Sequence, residues 1–154
     1  MQSTQLVLHS LLRWGVLIFG LWAVINAITG ILHKRSYSAN DNRSSLFFMI
    51  FCDIQLIFGL ILFFTGPWLE KITNGMGEVM KNAYDRFFVV EHAFMMILAW
   101  VLVHLGRPAV KKATAETKHK KMLLFFGIAF ILIIISIPWP IRSEVARPMM
   151  RWFN

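Results

Sequence analysis

Four long apolar runs dominate the chain, separated by short stretches that hold nearly all of its charge. A bilayer core about 30 Å thick asks for about 20 mostly apolar residues in helix. The runs at about Leu6 to Leu32, Leu46 to Thr65, Phe87 to Leu105 and Met122 to Ile137 reach or approach that length. In lipid every backbone polar group needs an internal partner, so these runs read as helices and not strands. The expected architecture is all-α: an integral membrane, antiparallel four-helix bundle forming a single domain over residues 1–154. The first run would span about 40 Å as a helix, so it must tilt or protrude. The fourth is short and stops at Pro138-Trp139-Pro140.

Charged residues make up 16% of the chain, against roughly a quarter in a soluble domain. That leaves no room for a separate soluble catalytic module. The net charge of +8 comes from basic residues lying between apolar runs. They read as topology signals and contacts for anionic lipid headgroups, not as a nucleic-acid surface. The single cysteine, Cys52, sits inside an apolar run, which excludes an intrachain disulfide, a CxxCH haem attachment and a cysteine zinc site. The N-terminal MQSTQLVLHS has no basic n-region and no small-residue cleavage pattern, so no removed signal peptide is expected.

With four spans, the loops 33–44 and 106–121 share one side. They carry Lys34, Arg35, Arg43, Arg107, Lys111, Lys112, Lys118, Lys120 and Lys121. The other side has Lys71, Lys81, Arg86, Arg142, Arg147 and Arg151, with Arg13 inside the first helix. The positive-inside rule then places both termini outside the cytoplasm, in the periplasm if the membrane is a bacterial inner membrane. Between Pro67 and Asp85, the residues Trp68, Leu69, Ile72, Met76, Val79, Met80 and Ala83 recur at helical spacing. This predicts an interfacial helix over 68–81, loosened by Gly75 and Gly77, with an irregular surface loop as the other reading. The tail after Pro140, with Arg142, Arg147, Arg151 and Trp152, also reads as interfacial.

Polar groups in hydrocarbon are costly and mark candidate sites. The first helix has His9, Ser10, Arg13 and Asn26; the second has Asp53 and Gln55; the third has Glu91, His92 and His104; the fourth has only Ser136 and reads as packing. Measured from the terminus end, His9 and His92 lie level within about one helical turn. His9, Arg13, Val16, Gly20, Ala23 and Ala27 form one stripe, and Val89, His92, Met96, Ala99 and Val103 another, with Glu91 about 100° aside. Two such histidines can ligate haem iron axially, with Arg13 or Arg86 near a propionate. Arg13 with Glu91 is also a natural buried ion pair, in which case the histidines are hydrogen-bonded helix contacts. His104 is turned about 120° from His92, so the two do not line up as a two-haem ladder. Asp53 and Gln55 read as interhelical hydrogen bonds or part of a proton path. His33 and His119, in basic loops, are expected at solvent or headgroups. No HExxH, GxSxG, phosphate-binding glycine loop or zinc spacing occurs.

The segments LHSLLRW (8–14), QLIFGLILFF (55–64), VEHAFMMILAW (90–100), HLGRP (104–108) and SIPWPIR (136–142) resemble small four-helix membrane proteins of Bacteroidota labelled cytochrome b or cytochrome b-like. The resemblance covers nearly the whole chain. It implies a b-type haem, or a place near respiratory electron transfer, and it points to His9, Arg13, Glu91 and His92. Relatives often have a histidine where this chain has Asp53. The leading expectation is a small haem b electron carrier of the inner membrane with His9 and His92 as axial ligands. The alternatives are a cofactor-free membrane subunit or scaffold packing against larger partners, and a quinone-handling respiratory subunit using His92 and Glu91 for protons; the expected partners are the lipid bilayer and a respiratory-chain or quinone partner, with an oligomer left open.

Overall fold

A computed structural model describes residues 2–150; Arg151 and Trp152 of the expected interfacial tail lie outside the described residues. Four helices are long and apolar enough to cross a bilayer: α1 (Gln2–Leu32), α2 (Ala39–Thr65), α5 (Ala83–Lys111) and α6 (Lys118–Ser136). Two short helices, α3 (Trp68–Asn74) and α4 (Met76–Lys81), fill the connection between α2 and α5. They break at Gly75, whose φ of 143° lies where side-chain-bearing residues rarely go. The interfacial helix expected over 68–81 is thus two helices with a glycine hinge.

The bundle is four-sided. α1 packs on α2 and α6, and α5 packs on the same two, which leaves α1 and α5 facing each other across a diagonal. Both expected stripes turn inward: Val16, Ala23 and Ala27 from α1, and Val89, Ala99 and Val103 from α5, are buried. Phe48 of α2 and Phe126 of α6 fill the centre edge to face, ring centroids 6.1 Å apart. Outside, Ile18, Phe64, Phe94 and Ile131 are each more than half exposed. This is an apolar belt on all four sides, which suits hydrocarbon and not water.

Several helix bounds differ from expectation, each for a local reason. α2 starts at Ala39 because Ser38 and Asp41 form a capping box that satisfies the first free N–H groups. α5 runs through Pro108, whose ring removes a single helical hydrogen bond near the helix end. Two stretches, Phe87–Glu91 and Leu123–Gly127, widen into π-helical turns.

The end of the bundle opposite the termini, the basic end, is tied by one buried carboxylate. Asp41, 0% exposed, accepts from Arg35 at 2.5 and 2.6 Å, and from Ser38 N and Oγ at 2.7 and 2.8 Å. Arg35 also donates to the Asn26 carbonyl at 2.9 Å, joining α1 to α2. His119, at the start of α6, brings Nε2 to 3.4 Å from Asp41. Its ring lies directly over Gly30, where a Cβ would overlap it. The expectation of a headgroup-facing His119 is corrected: it is 4% exposed, because the bare Gly30 backbone lets the ring in beside Asp41. The neighbouring carboxylate raises Arg35 above the ordinary guanidinium pKa.

Candidate polar site at the terminus end

The diagonal placement of α1 and α5 brings His9 and His92 into the bundle from opposite corners. Each ring is held by a different neighbour. The Gln55 side-chain nitrogen lies 3.0 Å from the His9 backbone oxygen and 3.2 Å from His9 Nε2. A carbonyl oxygen only accepts, so the Gln55 atom is the NH2 donor, and His9 Nε2 must accept its second hydrogen. The His9 proton therefore sits on Nδ1. The ring rests on Gly59, one turn beyond Gln55, where a Cβ would stand 3.4 Å from His9 Cε1.

His92 is oriented from the other side. Its Nδ1 lies 2.8 Å from the carbonyl oxygen of Ser136, at the end of α6. The carbonyl accepts, so Nδ1–H donates and the Nε2 lone pair is left over. Three buried atoms around the pair have no hydrogen-bond partner among the described residues: His9 Nδ1, Gln55 Oε1 and Ser136 Oγ. Buried polar atoms are nearly always satisfied, so a group of orphans contributed by three helices is a feature to be explained.

The remaining expected site residues fall at the rim. Arg13 donates to the Met149 carbonyl and lies 3.4 Å from Ser10 Oγ. Trp14 Nε1 reaches the same carbonyl at 3.3 Å, so the tail is pinned across α1. Glu91 does not pair with Arg13. It takes Arg86 at 2.9 Å, both side chains being well exposed at 41% and 37%. The cause is the π-turn over Phe87–Glu91: its i to i+5 geometry brings residues five apart together, as an α-turn does not. Arg86, engaged with Glu91 and the Met80 carbonyl, is likewise turned away from the histidines.

Immediately outward lies a cleft of about 320 Å³, lined by Leu6, Leu62, Trp68, Tyr84, Lys71 and Arg147. Leu6 precedes His9 by three residues and Leu62 follows Gly59 by three, so these cleft residues lie about one helical turn along α1 and α2 from His9 and Gly59. Its aromatic wall leads inward. Trp68 stacks on Phe88 at 5.3 Å, and Phe88 lies 6.2 Å from the His92 ring. Arg147 sits over both Tyr84 and Phe88.

A haem iron between two imidazoles needs a ring lone pair from each. His92 offers one, with its other nitrogen anchored on a carbonyl as metal-ligating histidines require. His9 does not: Gln55 occupies its only lone pair and Nδ1 carries the proton. The site meets half of the bis-histidine requirement. What His9 keeps is a buried donor without a partner among the described residues, suited to a carbonyl oxygen.

Sequence reasoning found His9, His92 and Gln55 but assigned Ser136 to packing. Its isolation as the one polar residue in the fourth apolar run was the available signal. No family model, no curated protein and no solved structure matches the chain.

Proposed function

We propose that the chain is a membrane subunit that binds the headgroup of a quinone-type redox lipid at the terminus end of its bundle, working beside a respiratory electron-transfer partner. The observation that carries this reading is the buried His9 Nδ1–H, a donor with no acceptor among the described residues. A quinone carbonyl supplies that acceptor, and Ser136 Oγ offers a further hydroxyl donor. The cleft beside this site has Trp68 and Tyr84 in its lining, flat faces for a planar ring. The resemblance to cytochrome b-like proteins fits the same setting, a bacterial inner membrane with this end facing the periplasm. The chain itself holds and orients the headgroup; electrons come from the partner.

A second reading keeps haem b. It is favoured by one observation: His92 Nδ1–H anchored on the Ser136 carbonyl with Nε2 left over.

Binding of a short-chain quinone to the purified protein, followed by quenching of tryptophan fluorescence, tests the proposal. Saturable quenching that weakens about tenfold in His9→Phe, the loss expected for one buried hydrogen bond, supports it. Equal affinity in the two proteins rejects it. A visible spectrum of protein from haem-replete cells separates the second reading: a Soret band abolished by His92→Ala would replace the quinone reading with the haem one.

A further inference from the structure

Halfway along α2, the outward-facing residues Ile50, Asp53, Ile57, Leu60 and Phe64 follow one another at spacings of three and four. That spacing marks one outward face of the helix, and Ile18, Leu21, Ile25, Ile28 and Leu32 of α1 form a similar face. Asp53 is the exception on the α2 face. It lies 14 residues from Ala39 and 12 from Thr65, about 20 Å from either end of the helix, and so near the middle of the hydrocarbon. Its carboxylate is 37% exposed.

Two side chains of α5 accompany it. Trp100 Nε1 donates to Asp53 Oδ1 at 2.6 Å, and His104 Nε2 stands 3.2 Å from the same oxygen. His104 Nδ1 donates to the Trp100 carbonyl at 3.0 Å, so its Nε2 would bring a lone pair against the carboxylate unless the contact holds a proton. Asp53 and His104 thus form a proton-sharing acid–base couple, side by side at one depth. His104 is 34% exposed. An acid–base couple turned to lipid at mid-membrane is costly, and such groups characteristically face protein or water.

We infer that this face of α2 and α5 is an interface between two copies of the chain. The argument for a second copy, over any other membrane protein, is self-complementarity. Two copies inserted the same way are related by an axis along the membrane normal. Half a turn about it preserves depth and exchanges left with right. Asp53 of one copy therefore meets His104 of the second, and His104 of the first meets Asp53 of the second, as an isologous contact requires. Ile57 and Leu105, both more than half exposed, flank the couple and close over it. This inference stands apart from the quinone reading, whose residues lie at the terminus end.

The full-length protein in lipid nanodiscs or proteoliposomes tests it, with cysteines introduced into a Cys52→Ala background. Ile57→Cys should form a disulfide-linked dimer on mild oxidation. Ile131→Cys, equally exposed but on α6, should not. Adding Asp53→Asn, which keeps an acceptor for Trp100 and should preserve helicity by circular dichroism, should lower dimer formation about tenfold, the scale of a polar contact between membrane helices. The exchange Asp53→His with His104→Asp should restore it, since the swapped surface is again self-complementary. The inference is overturned if Ile57→Cys crosslinks no faster than Ile131→Cys, or if folded Asp53→Asn dimerises like wild type.

Discussion

Replacing Asp41 by alanine is expected to be among the most damaging single changes in the chain. The carboxylate is 0% exposed and accepts four hydrogen bonds, two from Arg35 and two from Ser38. Removing one partner of a buried ion pair costs about 3–5 kcal/mol. Arg35, 31% exposed, can turn its orphaned guanidinium to water, which selects the lower end. Loss of the Ser38–Asp41 cap costs about 1 kcal/mol alone, but the same oxygens serve both roles, so the terms do not add fully. The expected loss is therefore about 3 kcal/mol, or about 6–12 °C in Tm for a chain of this size. Cys52, the only cysteine and 7% exposed, is a built-in reporter: a thiol-reactive fluorogenic dye in detergent reads its exposure on heating. Asp41→Asn, which keeps a capping oxygen and loses the charge, should fall between wild type and Asp41→Ala. A shift under about 2 °C for Asp41→Ala, less than 1 kcal/mol on the same scale, would refute the reasoning.

Gly30→Ala should destabilise the bundle by driving a Cβ into the His119 ring. Combined with His119→Ala it should cost less than the two single changes summed, a coupling the same melting assay reads. Tyr37 packs against His119, ring centroids 5.5 Å apart, and burial raises its phenol above the ordinary value near 10. A raised folded-state pKa means full stability below the unfolded value and loss as pH climbs through the folded one. Melting temperature should therefore fall above about pH 10, and less steeply in Tyr37→Phe. Gln55→Leu should release His9 Nε2 and lower affinity for a short-chain quinone about tenfold, as loss of the group orienting the ring, with helicity unchanged by circular dichroism. An unchanged affinity would show that Gln55 does not orient the ring.

The spans were legible because apolar length is a local property, and so were the stripes bearing His9 and His92, because helical periodicity decides which residues share a face. What escaped depends on contacts between distant segments. His119 lies in a run of lysines, and only the bare backbone of Gly30, almost ninety positions earlier, lets it bury. Glu91 reads as an interior partner for Arg13 on α-helical spacing; the π-turn at Phe87–Glu91 gives it Arg86 instead. Ser136 anchors His92 through its carbonyl, which any residue type would carry, so only its isolation as a polar residue in an apolar run marks it. The tautomer of His9, which separates a donor from an iron ligand, follows from one amide of Gln55 reaching two acceptors. No spacing rule encodes that.

The account rests most heavily on where the His9 proton sits. Nitrogen-15 NMR of histidine-labelled protein in bilayers, with His9→Phe to assign the signal, reads it directly. The expected spectrum shows His9 protonated at Nδ1 and bare at Nε2, with the Nδ1–H signal shifting when a short-chain quinone is added. A His9 protonated at Nε2, or an Nδ1 signal indifferent to the quinone, would contradict the proposed binding role.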